Sequence, residues 1–277
     1  MDRYAVIGNP IKHSKSPLIH AAFAKQTDQD LTYIAIESPV NSFTGTIKDF
    51  EAAGGKGTNV TLPFKKEAFA LADEHSDHAQ QAQAANTLVF KDGKIYADNT
   101  DGPGLVQDLK CNHDYSLRQK HILVLGAGGA TQGILGPLLA QAPAHIFVAN
   151  RTPEKAFALA EQFEMHGDID GIGLNDIEKK PYDLIINATS ASVTGSALDI
   201  PKEIISEHTW CYDLFYADEP TAFLTFAKQQ GAKNCIDGLG MLVEQAAGAF
   251  YLWRGVYPET KSVIALLKTG NKQQLGT

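Results

Sequence analysis

The segment ILVLGAGGATQGI sets Gly126, Gly128 and Gly129 between an apolar run and a stretch of helical composition. Glycines at such a turn let the backbone approach a pyrophosphate, and the helix that follows offers unpaired N–H groups and partial positive charge. The pattern departs from GxGxxG, because Thr131 stands where the third glycine would fall. Taken alone, the glycines also suit a tight structural turn of an α/β domain. Roughly 20 residues further on, enzymes that use NAD place Asp or Glu to hold the ribose 2′-hydroxyl. This chain has Asn150-Arg151-Thr152 there, with Lys155 one helical turn later. No carboxylate would repel a 2′-phosphate. Arg151 can face its oxygens with a planar fork, Thr152 can donate a hydroxyl, and Lys155 adds charge. The pattern predicts NADP over NAD; the alternative is that Arg151 and Lys155 are solvated charges and either nucleotide serves.

A second set of polar residues lies nearer the start. Ser14 and Ser16 share a loop ahead of Pro17. Ser16 suits the cap of a helix whose first position is proline. Two hydroxyls beside a helix N-terminus can hold a carboxylate, although a plain cap needs nothing more. Thr61 lies near the end of the run GTNVTL, and Lys65 follows it. Lys65 opens a helix, where its charge faces the positive end of the dipole, yet a surface lysine is usually only solvated. Asp101, in Asn99-Thr100-Asp101-Gly102, reads by itself as a turn or cap. Asn86 lies at the start of a strand.

The elements that must position these residues alternate along the chain. Tyr4 to Gly8, Leu31 to Ile36 and Gly57 to Leu62 read as strands, separated by helices from Pro17 to Lys25 and Ser42 to Ala53. Lys65 to Asp73 reads as a helix, and Lys91-Asp92-Gly93 joins Thr87–Phe90 to Lys94–Ala97 as a hairpin. From near Gly102 a βαβ rhythm begins. Strands are expected at His121–Leu125, His145–Ala149, Leu184–Asn187 and Trp210–Leu214, with helices from Ala130 to Gln141 and Lys155 to Phe163. Helices from Met241 to Phe250 and Thr260 to Leu267 close the chain. The expected class is α/β with two domains: a mixed-sheet unit, then a Rossmann-like, doubly wound parallel sheet.

Bulk properties fit that class. At 277 residues two domains are expected, and 20% charged with 44% hydrophobic residues is soluble globular composition. A net charge of −8 argues against general nucleic-acid or membrane-surface binding, so an anionic ligand would need local donors. Cys111, Cys211 and Cys235 are far apart in sequence and read as ordinary reduced thiols of a cytoplasmic protein. No apolar run approaches ~18 residues, and no signal segment precedes the first strand. The nine histidines show no metal spacing; His75 and His78 are three apart but read as surface, and no metal is expected.

Nine fragments in order, GNPIKHSKSPLIH, NVTLPFK, AANT, DNTDGPG, GAGGAT, NRTPEKA, NATS, YDLFY and GLGMLVEQAA, resemble the shikimate dehydrogenase family. They span Gly8 to about Ala247. The resemblance implies NADPH-dependent, reversible reduction of 3-dehydroshikimate to shikimate, a step of aromatic amino-acid biosynthesis. It implies a substrate domain of residues 1–101 completed by 239–277, an NADP domain of 102–238, and an active site between them. Lys65 and Asp101 are then the catalytic pair. Ser14, Ser16, Thr61, Asn86, Tyr216 and Gln245 complete the substrate shell, the serines at the carboxylate. The cofactor shell becomes Asp77, Gly126, Ala127, Gly128, Gly129, Ala130, Asn150, Arg151, Thr152, Lys155, Thr189, Leu214, Gly238 and Met241. Taken without the family, Tyr216 is an ordinary core aromatic and Gln245 a solvent-facing side chain. Two places depart from the family pattern: Thr131-Gln132 replaces a serine and an arginine, and Ala191-Ser192-Val193 replaces a small glycine turn. A broader quinate/shikimate dehydrogenase and a non-catalytic NADP sensor are the rival readings; the presence of both Lys65 and Asp101 argues against the sensor. Monomer and homodimer both stay open.

Overall fold

The computed structural model describes residues 1–191 and 198–269. Two compact units are seen, one of Met1–Gln107 with the chain from Leu242 onward, the other of Asp108–Met241. The boundary falls beyond Asp101, where the sequence placed it, because a helix runs on from Asp101 to Gln107. A Cβ on Gly104 of that helix would stand 2.7 Å from the Gln245 backbone nitrogen, so the whole helix belongs with the first unit.

The first unit opens with β1 (Asp2–Gly8), α1 (Ser16–Gln26), β2 (Leu31–Glu37), α2 (Phe43–Ala52), β3 (Gly55–Val60) and α3 (Lys65–Leu71). It continues through β4 (Glu74–His75), α4 (Asp77–Ala82), β5 (Thr87–Lys91), β6 (Lys94–Asp98) and α5 (Asp101–Gln107). Its sheet has the order β2-β1-β3-β5-β6-β4. β1 pairs parallel with β2 and β3, whereas β5 runs antiparallel to β3 and β6. The β5–β6 hairpin is as expected: Lys91 faces Lys94 across Asp92 and Gly93, both at positive φ, the geometry of a type I′ turn. Phe43, Ile47 and Phe50 recur along one face of α2 and pack with Ile7 and Phe64 beneath the sheet. Each such fully buried side chain contributes roughly 1.5–3 kcal/mol.

The second unit contains β7 (His121–Leu125), α6 (Gly129–Leu139), β8 (His145–Asn150), α7 (Pro153–Phe163), β9 (Ile169–Gly173) and β10 (Leu184–Asn187). After these come β11 (Trp210–Asp213), α8 (Ala222–Gln229) and β12 (Asn234–Ile236). All its strands are parallel, ordered β12-β11-β10-β7-β8-β9. Counted within this unit, that is the 3-2-1-4-5-6 order of the doubly wound dinucleotide fold. Strand order reverses between β7 and β10, which opens a crevice at their carboxyl ends. The last described elements are α9 (Leu239–Arg254) and α10 (Lys261–Lys268); Val243, Phe250 and Val263 pack there with Ile19 and Phe23 of α1.

Parallel pairing brings two of the three cysteines together while leaving them the expected reduced thiols. Cys211 and Cys235, far apart in sequence, are register partners on β11 and β12, and both are free thiols. The hydrogen bond between them raises Cys211 and lowers Cys235. Among the described residues, no helix is long and apolar enough to cross a membrane, and no group of three or more His, Cys, Asp or Glu is gathered as a metal site.

Candidate active site

In the first unit the polar residues converge on one ion pair. Lys65 opens α3 and Asp101 opens α5. The Lys65 Nζ donates to Asp101 Oδ2 at 2.5 Å, and the two side chains are 29% and 20% exposed. That partial burial leaves both groups reachable from solvent while limiting screening. The carboxylate also offsets the unfavourable position of a cation at a helix N-terminus. The other carboxylate oxygen, Oδ1, accepts from Asn86 Nδ2 at 2.9 Å. Asn86 Nδ2 lies 3.2 Å from Gln245 Oε1 on α9. Asn86 is 3% exposed, and its Oδ1 accepts from the Thr100 backbone N–H at 2.9 Å. The Ala85 N–H donates to the Lys65 carbonyl at 2.8 Å, which ties the two segments together. Lys65, Asn86, Asp101 and Gln245 thus form one cluster.

The serines differ from expectation in one respect. α1 begins at Ser16 itself, with Lys15 at the cap position and Pro17 in the first turn. Ser16 is therefore inside the helix and does not cap it. Ser14 Oγ accepts from the Ser16 N–H at 3.3 Å, so Ser14 takes the capping role. The reason is steric: proline fits either of the first two helical positions, because neither N–H has an intrahelical partner. Thr61 follows β3, and its N–H donates to the Ile7 carbonyl at 2.9 Å. A Cβ on Gly8 would lie 2.4 Å from Thr61 Cγ2, so only glycine allows this loop to close on β1.

In the second unit, the turn after β7 has the geometry a phosphate needs. Gly126 has φ +103°, a conformation that favours glycine. Gly128 caps α6, and a Cβ on Gly128 or Gly129 would meet nothing within 4 Å. Open space thus faces the helix N-terminus. Thr131, the departure from the glycine pattern, is fully buried and donates to the Gly126 carbonyl at 2.7 Å, bracing the turn from within. A cavity of about 680 Å³ lies here, lined by Gly126, Ala127, Gly128, Gly129 and Ala130 on one side. Asn150, Arg151, Thr152, Lys155 and Thr189 also line it. Arg151 and Lys155 are exposed, and the Thr152 hydroxyl makes no capping bond to α7. These features fit a nucleotide with a 2′-phosphate. Leu174, Leu198 and Asp199 line the same cavity and carry no sequence signal that would have found them.

The remaining predicted cofactor residues lie elsewhere. Leu214 and Gly238 pack together beyond β11; a Cβ on Gly238 would stand 2.2 Å from the Leu214 carbonyl oxygen. Buried Asp213 holds this region, accepting from Asn187 Nδ2 at 3.2 Å and Thr221 Oγ1 at 2.7 Å. Met241 lies in α9 at the end of the second unit. Tyr216 follows β11 in the second unit and is half-buried, which raises its phenol. Asp77 is exposed at the head of α4 in the first unit and does not line the cavity. Ser192 and Val193 lie outside the described residues.

A mixed-sheet unit with a polar ion-pair cluster, joined to a doubly wound unit with a phosphate turn, defines a dinucleotide-dependent oxidoreductase architecture. Family models match on both units. "Shikimate dehydrogenase substrate binding domain" covers residues 6–88, "Shikimate / quinate 5-dehydrogenase" 109–196, and "Shikimate 5'-dehydrogenase C-terminal domain" 238–268. A shikimate dehydrogenase (NADP(+)) of Coxiella burnetii (strain Dugway 5J108-111) is 54% identical, over 97% of this chain and 99% of its own length. The Ael1 enzyme of Pseudomonas putida superposes with a TM-score of 0.93 at 46% identity, covering 96% of this chain and 98% of that one. Shikimate 5-dehydrogenase of Thermus thermophilus, solved in complex with NADP(H) and shikimate, gives 0.86 at 34% identity, covering 97% and 99%. The chain belongs to the shikimate dehydrogenase family.

Proposed function

We propose that this chain catalyses the reversible, NADPH-dependent reduction of 3-dehydroshikimate to shikimate. The observation that carries the reading is the Lys65–Asp101 pair at 2.5 Å, held by Asn86 in the same unit as Ser14 and Ser16. The cofactor, when bound, supplies hydride to the ketone carbon. The chain's own residues handle the rest. Ser14 and Ser16 hold the substrate carboxylate, with Thr61 beside them. Asn86, Asp101 and Gln245 take the ring hydroxyls, and Tyr216 completes the shell. As the ketone becomes an alkoxide, the Lys65 ammonium donates a proton to that oxygen; in reverse the neutral amine accepts it. Asp101 orients Lys65 through the charge-assisted bond and keeps an acceptor for a hydroxyl. Arg151, Thr152 and Lys155 take the 2′-phosphate, and the glycine turn before α6 takes the pyrophosphate.

The test is NADPH absorbance followed with 3-dehydroshikimate, and the reverse reaction with shikimate and NADP. Turnover with shikimate that exceeds turnover with quinate is expected. A protein that binds NADP but turns over neither acid would overturn the reading. The three free thiols fit a reducing compartment, and we take the cytoplasm as the place of action.

A further inference from the structure

We propose that Thr87 is a positioning residue for this reaction, the centre of a hydrogen-bond chain Tyr33–Asn59–Thr87–Asn86 that acts with the Thr100 backbone N–H to hold the Asn86 amide with its Nδ2 towards Asp101. The inference rests on the reading of Lys65, Asn86 and Asp101 as the reacting centre. Tyr33 OH donates to Asn59 Oδ1 at 2.7 Å. Asn59 Nδ2 donates to the Asn86 backbone carbonyl at 3.2 Å and to Thr87 Oγ1 at 3.0 Å. Thr87 Oγ1 donates to Asn86 Oδ1 at 2.9 Å, and Asn86 Nδ2 donates to Asp101 Oδ1 at 2.9 Å.

Each link has only one possible polarity. A backbone carbonyl only accepts, so the NH₂ end of Asn59 must face Asn86 O. Its oxygen end then faces Tyr33, which must donate. Burial pushes the Tyr33 phenol well above its usual range, so that proton stays in place. The donor from Asn59 occupies Thr87 Oγ1 and directs the threonine's single proton to Asn86 Oδ1. That leaves Nδ2 for the carboxylate. Reversing any link would set two donors or two acceptors face to face. Asn59, Asn86 and Thr87 are 6%, 3% and 0% exposed, so bulk water is too remote to repair such a mismatch.

Position 87 itself supports a positioning role. A fully buried strand position is filled well by valine, which has the same shape and no hydroxyl to desolvate. Thr87 spends its hydroxyl on the Asn86 amide. The Tyr33 ring stacks on His20 at 4.1 Å, which fixes the far end of the chain.

The experiment is steady-state kinetics of Thr87→Val and Thr87→Ser, each alone and with Asn86→Ala, with thermal melts alongside. One lost buried hydrogen bond predicts that Thr87→Val lowers kcat about tenfold. KM for 3-dehydroshikimate should stay within about twofold, because the carboxylate end is untouched, and Thr87→Ser should restore kcat to within about twofold. In the Asn86→Ala background Thr87→Val should cost less than about twofold, since the amide it orients is gone. Equal losses in both backgrounds, or a serine variant as slow as the valine one, would overturn the proposal. Should Thr87→Val not fold, Tyr33→Phe makes the same test one link further out, with about a threefold kcat loss expected only when Asn86 is present; no loss overturns it. If Lys65→Ala and Asn86→Ala kept full activity, the reacting centre would be misread and the chain would fall with it. If those two were slow and Thr87→Val fast, the chain alone would fail.

Discussion

Lys65→Ala and Asp101→Asn test the proton-transfer reading from its two sides, and the geometry predicts unequal costs. Lys65→Ala removes the group that supplies the proton. General acid–base groups contribute about 10²–10⁴-fold, which at about 1.36 kcal/mol per decade is roughly 2.7–5.4 kcal/mol of barrier. Asp101→Asn acts differently. The carboxylate presents one oxygen to Lys65 at 2.5 Å and the other to Asn86 Nδ2 at 2.9 Å. An amide has only one oxygen. If it faces Asn86, its NH₂ meets the ammonium; if it faces Lys65, its NH₂ meets the Asn86 NH₂. Either way one hydrogen bond to a charged group is lost, worth about 1.5–3 kcal/mol, or roughly 10–100-fold in kcat. KM for 3-dehydroshikimate should change far less than kcat in both variants, because Ser14 and Ser16 still hold the carboxylate. The double variant should be little slower than Lys65→Ala alone, since residues acting as a unit are not additive. The assay is single-turnover NADPH absorbance, which separates chemistry from product release. An added small primary amine should partly restore Lys65→Ala and leave Asp101→Asn unchanged. A Lys65→Ala enzyme within about threefold of wild-type kcat would refute a lysine proton donor, whose smallest expected contribution is far larger.

The other expectations concern binding and stability. Arg151→Ala should lower the NADPH-to-NADH ratio of kcat/KM about 10–100-fold by removing a charge-assisted fork; an unchanged ratio would show the arginine to be only solvated. Ser14→Ala with Ser16→Ala should raise KM for shikimate at least about tenfold, with a smaller change in kcat, and a KM like wild type would remove the serines from the carboxylate site. His20 is fully buried, and desolvation lowers its pKa from 6.5 to about 3. The unfolded chain therefore binds the extra proton between those values, and stability is lost as pH falls below 6.5. Between pH 7 and pH 5 the loss from this one group is about 2 kcal/mol. Urea unfolding at both pH values should show wild type losing that much more stability than His20→Phe, and parallel pH dependence would show that burial does not lower the His20 pKa.

Apolar periodicity made the architecture legible because both sheets are built from strands buried on pattern and helices with one apolar face. β7, β8 and β10 are short apolar runs and were found; Phe43, Ile47 and Phe50 mark α2 in the same way. Two of the elements that escaped, α5 and β9, have contradictory local signals. α5 contains Gly102, Pro103 and Gly104, which read as a turn, yet Gly104 is required by the close approach of the Gln245 backbone. β9 holds Gly171 and Gly173, and a Cβ on Gly171 would stand 2.4 Å from the Ala156 backbone, so packing against α7 sets its composition and not strand propensity. The site divides along similar lines. The phosphate turn and the Asn150–Lys155 segment were legible because each is local, its chemistry carried by neighbours in sequence. The ion-pair cluster was not, since Lys65, Asn86, Asp101 and Gln245 come from four separate elements and look ordinary one at a time; only the resemblance joined them. Thr87 and Asn59 lie within the motifs but carry no local signal of a role, because a buried hydroxyl or amide reveals its purpose only through the polarity of its partners. What sequence periodicity encodes is which face of an element is buried. What makes the Asn86 amide point one way is a set of donors and acceptors arriving from β2, β3 and Thr100 ahead of α5, and that information is distributed over residues too far apart for any local pattern to hold it.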